Sequence, residues 1–121
     1  MNPGARILIV DDNADFRTVL AAALRSHGYL TTEAADGQEA LETLAITDTD
    51  MAIVDLDMPR LNGLELSKKV KEAAPDYPIV MVTGYAQFYS AAEILSVGVD
   101  AFLQKPVSMD KLLEVIQKIR T

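Results

Sequence analysis

The chain has 121 residues, half of them hydrophobic and 24% charged, with a formal net charge of −7; this describes one globular domain with room for a core and no bias toward disorder. It has no cysteine, which excludes a disulfide framework, a thiolate metal site and a cysteine nucleophile, and its acidic balance argues against gripping nucleic acid or an anionic membrane, both of which need clustered Lys and Arg. Apolar runs of about four to five residues fall far short of the roughly 18 to 20 that span a bilayer, and the N-terminus lacks a signal-peptide layout, so a cytoplasmic protein with no membrane span is expected.

Residues 1–5 read as a loose N-terminus and 6–121 as a single domain. The run Ile7-Leu8-Ile9-Val10 is too short for a helix and lacks alternation, which predicts a strand buried on both faces of a parallel sheet. It stops at Asp11-Asp12-Asn13, where Asp12 or Asn13 can cap a helix with Phe16, Val19, Leu20, Ala23 and Leu24 on one face and Gly28 as its end. The only histidine, His27, falls at that helix end, where a solvated C-terminal role is expected. Tyr29 to Ala34 is β-prone but more polar, as an edge strand would be, and Asp36-Gly37 opens a helix with Ala40, Leu41, Leu44 and Ala45 inward.

A third strand is predicted at Ala52 to Val54 and delivers Asp55 at its end; Asp57, Pro59 and the Asn62-Gly63 turn signal follow, leading into a helix from about Leu64 to Ala74 closed by Pro75 and Pro78. The fourth strand, Ile79 to Val82, ends in Thr83-Gly84, and a weaker helix from about Gln87 to Ser96 stops at Gly98. Ala101 to Leu103 forms the fifth strand before Lys105-Pro106, and the last helix, from about Met109 to Ile119, buries Leu112, Leu113, Ile116 and Ile119. Five alternations at about 24 residues each leave no room for a second domain, so the expected class is α/β: a doubly wound five-stranded parallel sheet, (βα)5, with helices on both faces. The five methionines read as core filler.

In such a sheet all strand carboxyl ends lie along one edge, where ligands bind. Asp11 and Asp12 fall there after the first strand, Asp55 after the third, Thr83 after the fourth and Lys105 just past the fifth; the second strand contributes nothing obvious. Each alone could be a strand terminator or a cap, but together they form a converging set of three acids, one hydroxyl and one amine. Two unit charges about 4 Å apart interact by roughly 4 kcal/mol at an effective dielectric near 20, so three carboxylates cannot be balanced by one lysine. A divalent cation can balance them, and a few carboxylates with open water positions are typical of Mg²⁺, which usually shares its shell with a phosphate. Thr83 as donor and Lys105 as point charge both suit phosphoryl oxygens. No glycine-rich loop follows the first strand, so neither a dinucleotide nor a P-loop site is expected.

These residues resemble the receiver domain of bacterial two-component response regulators, over nearly the whole chain from Arg6 to about Ile119. Asp11-Asp12 is similar to that family's acidic pair, Asp55-Leu56-Asp57-Met58-Pro59 with Gly63 to its phosphoacceptor segment, Thr83-Gly84 to its switch hydroxyl with a small residue behind it, and Phe102-Leu103-Gln104-Lys105-Pro106 to its aromatic switch and lysine. The resemblance implies a flavodoxin-like strand order 2-1-3-4-5 and an Asp55 that accepts a phosphoryl group from a phosphohistidine of a sensor histidine kinase or phosphotransfer protein. It further implies Mg²⁺ held by the side chains of Asp12 and Asp55, the backbone carbonyl of Asp57, and Asp11 through water. Lys105 would neutralise phosphoryl charge, with a cis Lys105-Pro106 peptide bond. The switch would be Thr83 moving toward the phosphoryl group and Phe102 turning inward, repacking the fourth helix, fifth strand and last helix, a surface that could also form a homodimer or meet an output domain or target protein.

Phe102 lacks the hydroxyl of the tyrosine found in many relatives, so any hydrogen bond of that group is absent here. Asp57, Gly84 and Tyr85 are the expected modulators of the acyl phosphate, with Tyr85 read as shielding it from water. Two other functions compete. Asp55-Leu56-Asp57 imitates the nucleophile segment of small Mg²⁺-dependent phosphatases of the haloacid-dehalogenase type, although that segment normally follows the first strand and no cap domain fits. A receiver-like fold that docks partners without phosphorylation, or a flavin carrier, is the other; the intact acidic pair argues against the first and the missing phosphate loop against the second.

Overall fold

Ile7, Leu8, Ile9 and Val10 are each at most 1% exposed, because they occupy the middle of a sheet covered on both sides. In a computed structural model that describes residues 4–58, 61–84 and 90–119, strands and helices alternate as β1 (Arg6–Val10), α1 (Ala14–Ser26), β2 (Leu30–Ala34), α2 (Gly37–Ile46), β3 (Met51–Asp55), α3 (Gly63–Ala73), β4 (Ile79–Thr83), α4 (Ala91–Ser96), β5 (Ala101–Gln104) and α5 (Met109–Ile119). The strands form one sheet in the order β2-β1-β3-β4-β5, and every pair is parallel. This is the doubly wound α/β architecture with the flavodoxin-like order.

The alternation of side chains along each strand divides the core in two. Leu8, Val10, Val54 and Met81 point to the face covered by Ala40, Leu66, Val70 and Ile94 of α2, α3 and α4. Ile7, Ile9, Ile53, Val80 and Val82 point to the other face, under Leu20, Leu24, Leu112 and Ile116 of α1 and α5. β2 pairs only with β1, and its polar composition follows from that edge position. No helix among the described residues is long and apolar enough to cross a membrane.

The differences from the sequence reading have simple causes. Val19, expected inside, is 71% exposed: α1 buries Leu20, Ala21 and Leu24, and a 100° step per residue carries Val19 round to the flank of that stripe. There it lines, with Phe16, Pro106, Val107 and Met109, an apolar crevice of about 430 Å³. Ala45 of α2 is exposed instead of inward, and Leu41 and Leu44 are half-buried, because α2 overlies the sheet near its edge. Leu113 and Ile119 are likewise half-buried at the margin of the α1–α5 core. Two residues of the expected loose stretch are tied down, Gly4 N–H donating to the Gly28 carbonyl at 2.7 Å and Leu30 N–H to the Ala5 carbonyl at 2.9 Å. The expected start of the fourth helix at Gln87 lies outside the described residues; α4 from Ala91 is capped by the Ser90 hydroxyl, which accepts from Glu93 N–H.

Ser67 of α3 is fully buried, and its hydroxyl has no hydrogen-bond partner. An unsatisfied buried hydroxyl costs about 1 to 3 kcal/mol, and alanine is the better helix former. Ser67→Ala is expected to raise stability by about 1 kcal/mol, seen as a rise of about 4 °C in Tm; a drop would mean that the hydroxyl is satisfied in solution.

Candidate functional site

Two of the five strand ends converge three acids. Asp55 is the last residue of β3 and 3% exposed; Asp11 follows β1 and is 1% exposed, whereas Asp12 beside it is exposed. One carboxylate oxygen from each of Asp11, Asp12 and Asp55 lies within 4.8 Å of the other two. Lys105, just past β5, closes the group: its Nζ is 2.7 Å from Asp11 Oδ2 and 3.6 Å from Asp55 Oδ1. The ammonium also stands 4.3 Å from the centre of the Phe16 ring, a cation–π contact that helps hold it over the site. The Lys105-Pro106 bond is cis, as expected.

Local hydrogen bonds explain why the loops hold these positions. Asp11 N–H donates to the Ala34 carbonyl at 3.1 Å, tying the end of β1 to β2. Asp11 Oδ1 accepts from Asn13 N–H at 2.9 Å, while Asn13 caps α1 by accepting from Phe16 N–H. Both oxygens of Asp11 are thus engaged within the protein, and the exposed Asp12 is the member of the pair turned to solvent. After β3, Leu56 N–H donates to the Val82 carbonyl at 2.9 Å and Gly63 N–H to the Leu56 carbonyl at 3.0 Å, so the phosphoacceptor-like segment is pinned to β4 on one side and to the start of α3 on the other. The Asn62 side chain and Glu65 form a reciprocal capping box there.

Burial pushes the Asp55 carboxyl from 3.8 up to about 7; the charge of Asp11 pushes the same way, as does that of Asp57 more weakly, against the opposing pull of Lys105 and of the Asp57 N–H. The site therefore carries more negative charge than its one lysine balances. An all-oxygen donor set of clustered carboxylates with an exposed member suits a hard dication such as Mg²⁺.

Thr83, at the end of β4, is fully buried, and its hydroxyl donates to Asp57 Oδ2 at 2.8 Å. The sequence alone implies a backbone role for Asp57 and a part in modulating the acyl phosphate, but carries no sign of this side-chain bond to Thr83. Among the described residues, an added Cβ at Gly84 would meet nothing closer than Lys105 Cβ, 4.0 Å away. Phe102 on β5 is half-buried against the α2–α3–α4 core. Tyr85 lies outside the described residues.

The second strand does contribute to the site. Glu33, the penultimate residue of β2, pairs with Arg17 Nε at 3.2 Å, and the Arg17 guanidinium donates to the Asp11 carbonyl. Glu33 thus steadies the acidic loop through Arg17. The available signal was a basic residue in the first turns of α1 and an acid near the end of the neighbouring strand.

An open parallel sheet with an acidic cluster at its carboxyl edge, a buried strand-end aspartate and an apposed lysine is the arrangement of a receiver domain. The response regulator receiver domain family model matches residues 7–117, and the chain belongs to that family, which serves two-component signalling. It is 36% identical over 108 residues to the response regulator MprA of Mycolicibacterium vanbaalenii, a match covering 89% of this chain and 47% of that protein; the chain spans about half the length of such relatives. A CheY-like receiver domain from Methanospirillum hungatei superposes with a TM-score of 0.90 at 34% identity, covering 97% of this chain and 94% of that one. The response regulator TrrA of Thermotoga maritima, solved in complex with Mg²⁺ and BeF, gives a TM-score of 0.87 at 30% identity over 95% and 98% of the two chains.

Proposed function

We propose that Asp55 is the phosphoacceptor of a Mg²⁺-dependent switch, receiving its phosphoryl group from a phosphohistidine of a sensor histidine kinase or phosphotransfer protein in the cytoplasm. The observation that carries this reading is the buried Asp55 carboxylate, set 3.6 Å from Lys105 and within 4.8 Å of the Asp11 and Asp12 carboxylates. An Asp55 oxygen attacks phosphorus in line as the bond to the imidazole nitrogen breaks; the electron pair leaves with the imidazole, and the product is an acyl phosphate. Lys105, already oriented by Asp11 and Phe16, places its positive charge against the equatorial oxygens. Asp12, Asp55 and the Asp57 carbonyl would hold Mg²⁺ directly and Asp11 through water, and the ion when bound neutralises charge on the carboxylates and the phosphoryl group.

The domain is a regulatory element that catalyses its own phosphorylation and dephosphorylation. Its signal passes through Thr83 and Phe102 to the surface of α4, β5 and α5, there to meet an output domain, a target protein or a second copy. Asp57 and Gly84 modulate the lifetime of the acyl phosphate, and the resemblance adds Tyr85 to that role. Incubation with acetyl phosphate and Mg²⁺ is expected to add the mass of one phosphoryl group to the wild type, and none without Mg²⁺ or in Asp55→Asn. A folded wild type that stays unlabelled would instead favour a docking module that works without phosphorylation.

A further inference from the structure

A threonine hydroxyl has one proton to donate. In the unphosphorylated protein Thr83 gives it to Asp57 Oδ2 at 2.8 Å, a charge-assisted bond in a half-buried setting, with Thr83 itself fully buried. The reading of Asp55 as phosphoacceptor, on which this inference rests, requires the same proton for a phosphoryl oxygen. The two acceptors stand two residues apart, at the end of β3 and in the loop that follows it, so they compete for one donor.

We propose that the Asp57 carboxylate is an internal stand-in for the phosphoryl group, a latch that holds Thr83 in its resting position and raises the threshold for switching. The latch is opened by the modification itself. A phosphoryl group on Asp55 brings fresh negative charge beside Asp57, which repels that carboxylate while presenting Thr83 with a stronger acceptor. Asp57 is therefore a positioning residue through its side chain, independent of the metal role of its backbone carbonyl, and its effect on the equilibrium equals the difference between the two acceptors for one hydroxyl. A side chain at position 57 with no acceptor oxygen would leave Thr83 poised for the phosphoryl group from the start.

The test is a double-mutant cycle read as affinity for beryllofluoride in the presence of Mg²⁺, on the wild type, Asp57→Ala, Thr83→Val and the double variant. Asp57→Ala removes both the latch and a like charge, and the two effects together are expected to tighten binding about tenfold. In the Thr83→Val background only the charge effect survives, so the same substitution should gain about threefold or less. Equal gains in the two backgrounds would overturn the latch. A second reading needs no phosphoryl mimic: in metal-free protein, side-chain coupling constants should show one Thr83 χ1 rotamer in the wild type and in Asp57→Asn, whose amide carbonyl still accepts, but averaging in Asp57→Ala. A single unchanged rotamer in Asp57→Ala would also overturn the proposal. A wild type that binds no beryllofluoride would count against Asp55 as phosphoacceptor, while the rotamer measurement would still decide whether Asp57 holds Thr83.

Discussion

Gly63→Ala is expected to destabilise the domain by about 3 kcal/mol, lowering Tm by roughly 12 °C, and to slow phosphoryl uptake at Asp55 at least tenfold. A Cβ at Gly63 would fall against the carbonyl oxygen of Asp55, within 2.7 Å of Leu56 Cα and 3.0 Å of the Asp55 carbonyl carbon. These are backbone atoms of the strand end and the first loop residue, so no side-chain rotation relieves the overlap. Helix propensity alone would favour alanine at the start of α3 by up to about 1 kcal/mol, and the steric term must exceed that gain for the prediction to hold. Either α3 withdraws from β3, breaking the Gly63 N–H bond to the Leu56 carbonyl, or the Asp55 peptide shifts and takes the carboxylate out of reach of Lys105. Gly84→Ala is the control, since among the described residues its Cβ would meet only Lys105 Cβ at 4.0 Å, and its Tm should stay within about 2 °C of wild type. Thermal melts of both variants, with acetyl phosphate labelling rates, read the contrast; equal melting temperatures would show that α3 accommodates the extra methyl group.

Gly63 also shows where sequence reasoning reaches its limit. Asn62-Gly63 reads as a turn opening a helix, and Asn62 does cap α3 with Gly63 as its first residue, but the glycine is needed because a helix start presses on a strand end. That contact is a tertiary fact with no local signature. The buried strands were legible because burial on both faces leaves continuous apolar runs, as in Ile7 to Val10 and Ile79 to Val82, and α5 was legible because Leu112 and Ile116 recur at helical spacing. The site was legible at Asp11, Asp55, Thr83 and Lys105 because a polar residue ending an apolar strand in a parallel sheet has only one edge to occupy. Glu33 was hidden by its edge strand, where charged residues are ordinary, and Arg17 by a helix face that looked solvated. The Thr83–Asp57 bond was hidden for another reason: it joins the end of β4 to the loop after β3, 26 positions apart, and its existence depends on loop geometry that residue types do not specify. Val19 looked apolar and therefore inward, but the helix stripe is centred on Leu20 and Leu24.

In metal-free protein, Asp55→Asn is expected to be more stable than the wild type at pH 7.5 by roughly 2 to 4 kcal/mol, with the advantage vanishing toward pH 4. The folded Asp55 carboxyl titrates near 7, the unfolded one near 3.9. Between those values the native state holds a proton that the unfolded state has lost, so this group's contribution to stability is fully present below about pH 4 and disappears as pH rises through about 7. Three pKa units at 1.36 kcal/mol each set an upper bound of about 4 kcal/mol. Asparagine has the size of the protonated acid and no charge to bury beside Asp11 and Asp57, so it escapes the loss. Urea midpoints of both proteins in chelator at pH 4.5, 6 and 7.5 should diverge progressively; parallel curves would mean that Asp55 ionises in the folded protein as easily as in the unfolded chain. Mg²⁺ adds a second dimension, because a dication binds the ionised carboxylate and must compete with the proton. Its stabilisation of the wild type should therefore be largest above pH 7, fade as pH falls, and be mostly lost in Asp55→Asn. The charge that makes Asp55 costly to ionise in the empty site is thus what would make the loaded site bind metal and accept a phosphoryl group.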